Sequence, residues 1–240
     1  MIAIRDHYYA LKRAFNLLFQ GHFSYYFIPG ILIAVFFYAY LFIIENIAGF
    51  FGLIAHTPWV GLYMEPAVNS VFEWVNSLSL FIYQFTIITL LSPFHTMLSQ
   101  KVETFETGQK FSPNWFKFIN DLLRTIGVII VGGVIYFIIY MLWSIFARLL
   151  DISFLSPIVS MVLVSFFTGF NSYDYSLERH NIGILTSWKF AFKHPLQMIL
   201  TGGIFTLLLF IPLIGVVIAP VLLTMVGTVN YLKIAEKANN

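Results

Sequence analysis

Residues 173–180 read "YDYSLERH", which places two carboxylates, a guanidinium and an imidazole (Asp174, Glu178, Arg179 and His180) within seven positions. Such a group could carry acid–base chemistry, hold an ion, or anchor a chain where it leaves a membrane. Asp174 and Glu178 are four apart, so a helix puts them on one face, where they repel unless a cation is near. Arg179 is adjacent in sequence, which does not make it adjacent in space. Enzyme chemistry has little else to build on. There is no cysteine, which excludes disulfides, thiolate metal sites and a thiol nucleophile. Ser92 and Ser112 precede prolines and lack a Gly-x-Ser-x-Gly context. The histidines show neither HxxxH nor HExxH spacing, so no metal site and no cofactor is expected. The stretch reads first as an interfacial anchor, with Tyr173 and Tyr175 at headgroup level and the charges pairing to fix the exit point. The second reading makes Arg179 or His180 part of a mouth for an anion.

The rest of the chain decides the solvent. Of 240 residues, 59% are hydrophobic and 10% charged, and the mean hydropathy is +0.84. A soluble domain has about 25% charged residues, so this chain lacks the polar residues to cover a core in water. It is an integral membrane protein, and its aromatic content of 19% supplies interfacial anchors. The net charge of +2 is too small to argue for nucleic acid. The first twenty residues carry Arg5, Asp6, Lys12 and Arg13 and no apolar h-region, so no signal peptide is expected.

Periodicity and apolar length divide a single membrane domain. Residues 6–20 form an amphipathic helix lying in the headgroup plane, with Tyr8, Leu11, Phe15, Leu18 and Phe19 on one stripe. Residues 23–98 form a two-span unit. Its first span is "FSYYFIPGILIAVFFYAYLFII", its connection at 45–70 has no Lys or Arg, and its second span runs from Val71 to Leu91. A cytoplasmic segment (99–124) leads to a first hairpin (125–173), a second cytoplasmic segment (174–195) and a second hairpin (196–232). If the segments alternate, every Lys and Arg except Arg148 lies on one side. By the positive-inside rule that side, with both termini, is cytoplasmic.

The second hairpin is predicted to penetrate only halfway. Its first limb, from Leu196 to Ile211, is shorter than the roughly 20 residues a straight span needs. Its turn, "PLIGVVIAP", holds Pro212, Gly215 and Pro220 but no charge, so it can stay in the bilayer if protein covers its backbone. Two full spans joined by a tight outer turn are the alternative. Arg124, where the first hairpin starts, is expected to snorkel. Arg148 and Asp151, on the far side, read as an exposed turn or, if buried, as an anion attractor or intersubunit salt bridge. Glycines 127, 132, 133, 202 and 203 read as close helix packing. His22, His95 and His180 read as solvated or hydrogen-bonded anchors, while His7, His56 and His194 carry no signal.

Four stretches, taken in order, resemble the CysZ sulfate permease family and its wider group with the etoposide-induced membrane proteins. They are "QGHFSYYFIP" (20–29), "SPFHTMLSQKVETFETG" (92–108), "YDYSLERH" (173–180) and "IPLIGVVIAP" (211–220). The resemblance implies an all-helical bacterial inner-membrane protein with two long spans and two partly penetrating hairpins, a homo-oligomer that passes sulfate. It places an anion loop at Gly21, His22, Phe23 and Ser24, where family members that bind sulfate carry two arginines. Glu103 matches the family pattern. Gln100, Ser176 and Gly215 depart from it, and the stretch from Arg124 to Tyr173 is longer than in typical members, so the first hairpin is expected to cross completely. The expected function is a passive or gradient-driven permease or channel for a small oxyanion, sulfate by resemblance, and not an enzyme. The lost arginines predict weak, poorly selective binding that Phe23→Arg and Ser24→Arg would tighten. They also keep open a non-transporting membrane scaffold of the same fold.

Overall fold

Long apolar runs can satisfy their backbone in lipid only as helices or closed barrels, and here they form helices. A computed structural model describes residues 2–21, 23–32, 34–36, 38–39, 42–43, 46, 91–109, 115–211 and 214–239. Among the described residues no strand occurs and 91% are helical. The expectations placed on His22, Pro212, His56, nearly all of the 45–70 connection and the second span up to residue 90 lie outside the described residues.

The chain divides into two units, Pro29–Leu91 and Met1–Ile28 with Ser92–Asn240. In the first, the described residues up to 46 are helical and expose Leu32, Val35, Phe36 and Phe42, as a lipid-facing span would. The second unit holds α1 (Ile2–Phe19), all but the first residue of α2 (residues 91–107), α3 (Trp115–Leu149), α4 (Ser156–Arg179), α5 (Ile184–Lys193), α6 (Pro195–Leu209) and α7 (Ile214–Asn239). A 3₁₀ turn, Ser24–Phe27, follows α1, and another, Ser153–Leu155, precedes α4.

The limbs of the first hairpin, Leu123–Leu149 and Ser153–Arg179, have 27 residues each. At 1.5 Å per residue that is about 40 Å, against a hydrocarbon core of about 30 Å. Each is long and apolar enough to cross, as the longer hairpin predicts. At the turn between them Arg148 and Asp151 are both exposed, and Asp151 adopts a left-handed φ of 55°. Neither side chain is buried within the chain itself. The second hairpin is asymmetric. Its first limb, α6, has 15 residues, about 22 Å and too short to cross straight. In α7 the stretch Val217–Lys237 is long enough. Gly215 sits so close to α6 that a Cβ there would collide with the Leu208 carbonyl. Pro220 falls inside α7.

Packing relies on small residues. Where α4 crosses α6, a Cβ on Gly169 would strike the Met198 carbonyl, and one on Gly202 would strike that of Ser165. Gly127 and Gly132 make room for Ile184 and Trp188, whereas Gly133 and Gly203 face open space, so close packing does not explain those two. On α1, Ala10, Ala14 and Leu17 are buried in one core with Phe23, Leu98, Val102 and the α7 residues Val221 to Val229. The aromatic stripe of α1 points away, leaving Tyr8 and Phe19 exposed. The segments 99–124 and 174–195, expected as connections, are largely helical. In the first, α2 runs to residue 107 and α3 begins at Trp115. In the second, α4 runs to Arg179 and α5 follows.

Candidate functional site

The C-terminal turns of α4 are buried on every side, from Ser172 through Arg179. The three charged groups buried here, Asp174, Glu178 and Arg179, must therefore find their partners within the protein. Asp174 finds Arg124 of α3, with Nη1 to Oδ2 at 2.8 Å and Nη2 to Oδ1 at 2.9 Å. The same guanidinium lies 3.6 Å from Glu178, and Nη2 donates to Ser187 Oγ at 2.8 Å and to the Ile182 carbonyl at 3.1 Å. Arg124 does not snorkel. It is the cation that relieves the repulsion between Asp174 and Glu178. Tyr173 and Tyr175 are likewise buried within the protein rather than presented on its surface. Tyr173 accepts from Asn230 Nδ2 at 2.7 Å and shares a hydrogen bond with Thr201 at 3.3 Å.

Arg179 points to a different helix. It forms an ion pair with Glu103 of α2, and its Nη1 donates to Ser99 Oγ at 2.9 Å. His180 Nε2 lies 3.4 Å from the other oxygen of Glu103. The "YDYSLERH" charges thus divide, with Asp174 and Glu178 on Arg124, and Arg179 and His180 on Glu103.

The Arg179 end continues into a polar seam. On α2, Ser92, His95, Thr96, Ser99 and Glu103 recur at helical spacing on a buried face. Ser92 and Thr125 share a hydrogen bond at 2.7 Å, and His95 Nδ1 lies 3.2 Å from Thr224 Oγ1. Ser99, Ser176 and Thr228 form a hydroxyl triangle with edges of 3.0, 3.3 and 2.8 Å. From Ser92 to Glu103 the seam rises about 16 Å along α2. A buried polar group without a partner costs roughly 1–3 kcal/mol, so these side chains hold their places together.

The Gly21–Ser24 loop is also tied to α2. Gly21 is exposed with φ 77°, and Ser24 Oγ donates to its carbonyl at 3.0 Å. Phe23 departs from the expectation of an anion-facing position. Its side chain has no exposed surface and its ring lies 5.6 Å from that of Phe105, tilted by 51°, with Lys101 Nζ 5.2 Å above it. Phe23 thus meets α2 through Phe105 and Lys101, and Arg179 meets it through Ser99 and Glu103.

Several contributors had not been singled out in the sequence. The 3–4 spacing of Ser92, His95, Thr96, Ser99 and Glu103 in an apolar setting, and Thr224 with Thr228 four apart, were the available signals. His7, which carried none, is buried beside Thr201, with Nδ1 3.5 Å from its hydroxyl, and burial lowers its pKa to about 4. Asp6 clamps the far end of α7, 2.5 Å from Lys237 and 3.6 Å from Lys233. Burial pushes its carboxyl up, but the two lysines outweigh that and hold it below the usual carboxylate value. Among the described residues no three metal-ligating side chains come together.

These features define a multi-pass, all-helical membrane protein with a polar seam between α2, α4 and α7. The chain belongs to the sulfate transporter CysZ/etoposide-induced protein 2.4 family, whose sequence profile matches residues 10–220. No curated protein matches the chain.

Proposed function

We propose that the protein is a passive or gradient-driven permease for a small oxyanion of the sulfate type. In this reading it is a homo-oligomer in the bacterial inner membrane, with both termini in the cytoplasm and the second hairpin penetrating only partway. The observation that carries it is the seam of hydroxyls ending on Arg179. Hydroxyls rotate, so Ser99 and Ser176 can turn their protons from the triangle toward an oxyanion and back, while the Thr228 hydroxyl also reaches the Thr224 carbonyl at 2.8 Å. Arg179 supplies the charge. Glu103 competes for that charge and keeps the anion from being held too tightly, which conduction requires. The exposed residues Gly21 and Ser24, either side of the segment whose Phe23 ring lies under Lys101, serve as an entrance of low affinity because the two family arginines are absent.

The test is flux into liposomes carrying the folded protein. Sulfate or phosphate uptake above empty vesicles is expected, with Arg179→Gln abolishing it and Arg179→Lys retaining part. Absence of flux for every oxyanion tried would reject the permease and leave the membrane scaffold.

A further inference from the structure

His95 lies one turn from Ser99 on the seam face of α2 and is 5% exposed. Its ring rests 5.3 Å from that of Tyr175, and Nδ1 lies 3.2 Å from Thr224 Oγ1. The hydroxyl proton of Thr224 is already committed to the Pro220 carbonyl at 2.8 Å. Nδ1 must therefore be the donor, so the ring proton sits there and Nε2 carries a lone pair. Nε2 is buried and has no hydrogen-bond partner among the described residues. The hydroxyl of Thr96, next in sequence, is also buried without a partner among the described residues. Native proteins seldom leave such groups unmatched, and an orphan acceptor on a polar path calls for something that donates.

We propose that His95 is a specificity-determining residue, which makes the seam favour oxyanions that keep a proton over those that have lost every proton. This rests on the reading of the seam as the oxyanion path. At neutral pH phosphate and arsenate retain at least one O–H, whereas sulfate and selenate present acceptors alone. The four ions are similar in size and tetrahedral, so shape does not separate them. A protonated oxyanion gives its O–H to Nε2 and leaves its charged oxygens to the hydroxyls and to Arg179 farther along the seam. Sulfate at the same place sets acceptor against acceptor. Sites built around one hydrogen bond reject analogues that cannot make it far more strongly than pockets reject a change of size.

The experiment measures initial flux through the full-length protein in liposomes at neutral pH, with phosphate against sulfate and arsenate against selenate. In each pair the proton-bearing ion is expected to pass about tenfold faster or more. His95→Asn keeps the group facing Thr224 and removes the acceptor at Nε2, while His95→Gln places an amide near Nε2 that can donate. Both variants should bring the two ratios close to one. Sulfate and selenate passing as fast as their partners in the unmodified protein would overturn the proposal and leave the permease standing. Ratios unchanged in both folded variants would also overturn it. Absence of flux for all four ions would remove the permease reading and this proposal with it. If neither variant folds, the ratios of the unmodified protein still decide.

Discussion

Arg124 and Asp174, fifty residues apart, meet as a two-pronged ion pair with both hydrogen bonds under 3.0 Å. The pair joins the start of α3 to the end of α4, and Glu178 and Ser187 share the same guanidinium. Removing the cation leaves two carboxylates one helical turn apart, both buried. Arg124→Gln should therefore destabilise by about 3–5 kcal/mol. Asp174→Asn should cost less, because Glu178 remains as a counter-charge. The double variant should cost less than the two single changes combined. Denaturant unfolding in micelles would measure this, and strictly additive losses would show that the pair is not coupled.

The crossing of α4 and α6 gives a second test with its own control. Gly169→Val and Gly202→Ala each drive a Cβ into the partner helix's backbone, so both should lose more than about 4 kcal/mol or fail to fold. Gly203→Ala, one position on, meets nothing within 4 Å and should be neutral or gain up to about 1 kcal/mol in helix propensity. Equal losses at Gly202 and Gly203 would contradict the packing.

Much of this architecture was legible because lipid simplifies the rules. Apolar length predicted the hairpins. The short limb before Pro212 led to a hairpin penetrating only halfway; α6 is as short as that reading needs, whereas α7 holds a stretch long enough to cross. The Asp174–Glu178 spacing called for a cation, but nothing local could nominate Arg124 from fifty residues away. The seam was harder to see. Its polar residues were spaced for one helix face, yet the division placed at residue 99 cut that stripe between His95 and Ser99. Phe23 failed for another reason. Its alignment with a family arginine said where the backbone lies, while the side chain followed its own chemistry onto Phe105. The tyrosines of "YDYSLERH" were assigned to the headgroups because aromatic residues near charges usually sit there. Here α6 and α7 cover Tyr173 instead.

His7 predicts a pH dependence. Its folded pKa is lowered by burial to about 4 from an ordinary 6.5. Between those values the unfolded chain binds a proton that the folded chain does not. Its contribution is fully present above pH 6.5 and is lost as pH falls toward about 4, a change of about 2–3 kcal/mol. His7→Gln should flatten unfolding curves over that window. Asp6 acts lower still. Its folded pKa is depressed, so the support it draws from Lys237 and Lys233 is present above the ordinary carboxylate pKa and lost as pH falls through the folded one. A His7→Gln protein that keeps the full slope between pH 4 and 6.5 would assign the effect elsewhere.

The loop at Gly21–Ser24 gives the last prediction, and the structure splits it between two neighbouring residues. Ser24 is exposed, and its hydroxyl donates to the Gly21 carbonyl. Ser24→Arg should fold normally and place a guanidinium at the proposed entrance. One charge-assisted hydrogen bond contributes roughly 1.5–3 kcal/mol, so oxyanion affinity should rise about tenfold or more, and the gain should shrink at high salt as screening grows. Phe23→Arg should behave in the opposite way. Its ring is fully buried against Phe105 beneath Lys101, and a guanidinium there would lose that packing and face a second cation. It should destabilise by about 3 kcal/mol or more and give no gain in affinity. Calorimetry with sulfate and phosphate on both variants, beside their unfolding midpoints, separates the two effects. A stable Phe23→Arg protein with raised affinity would return Phe23 to the anion loop, and an unchanged affinity in folded Ser24→Arg would move the entrance elsewhere.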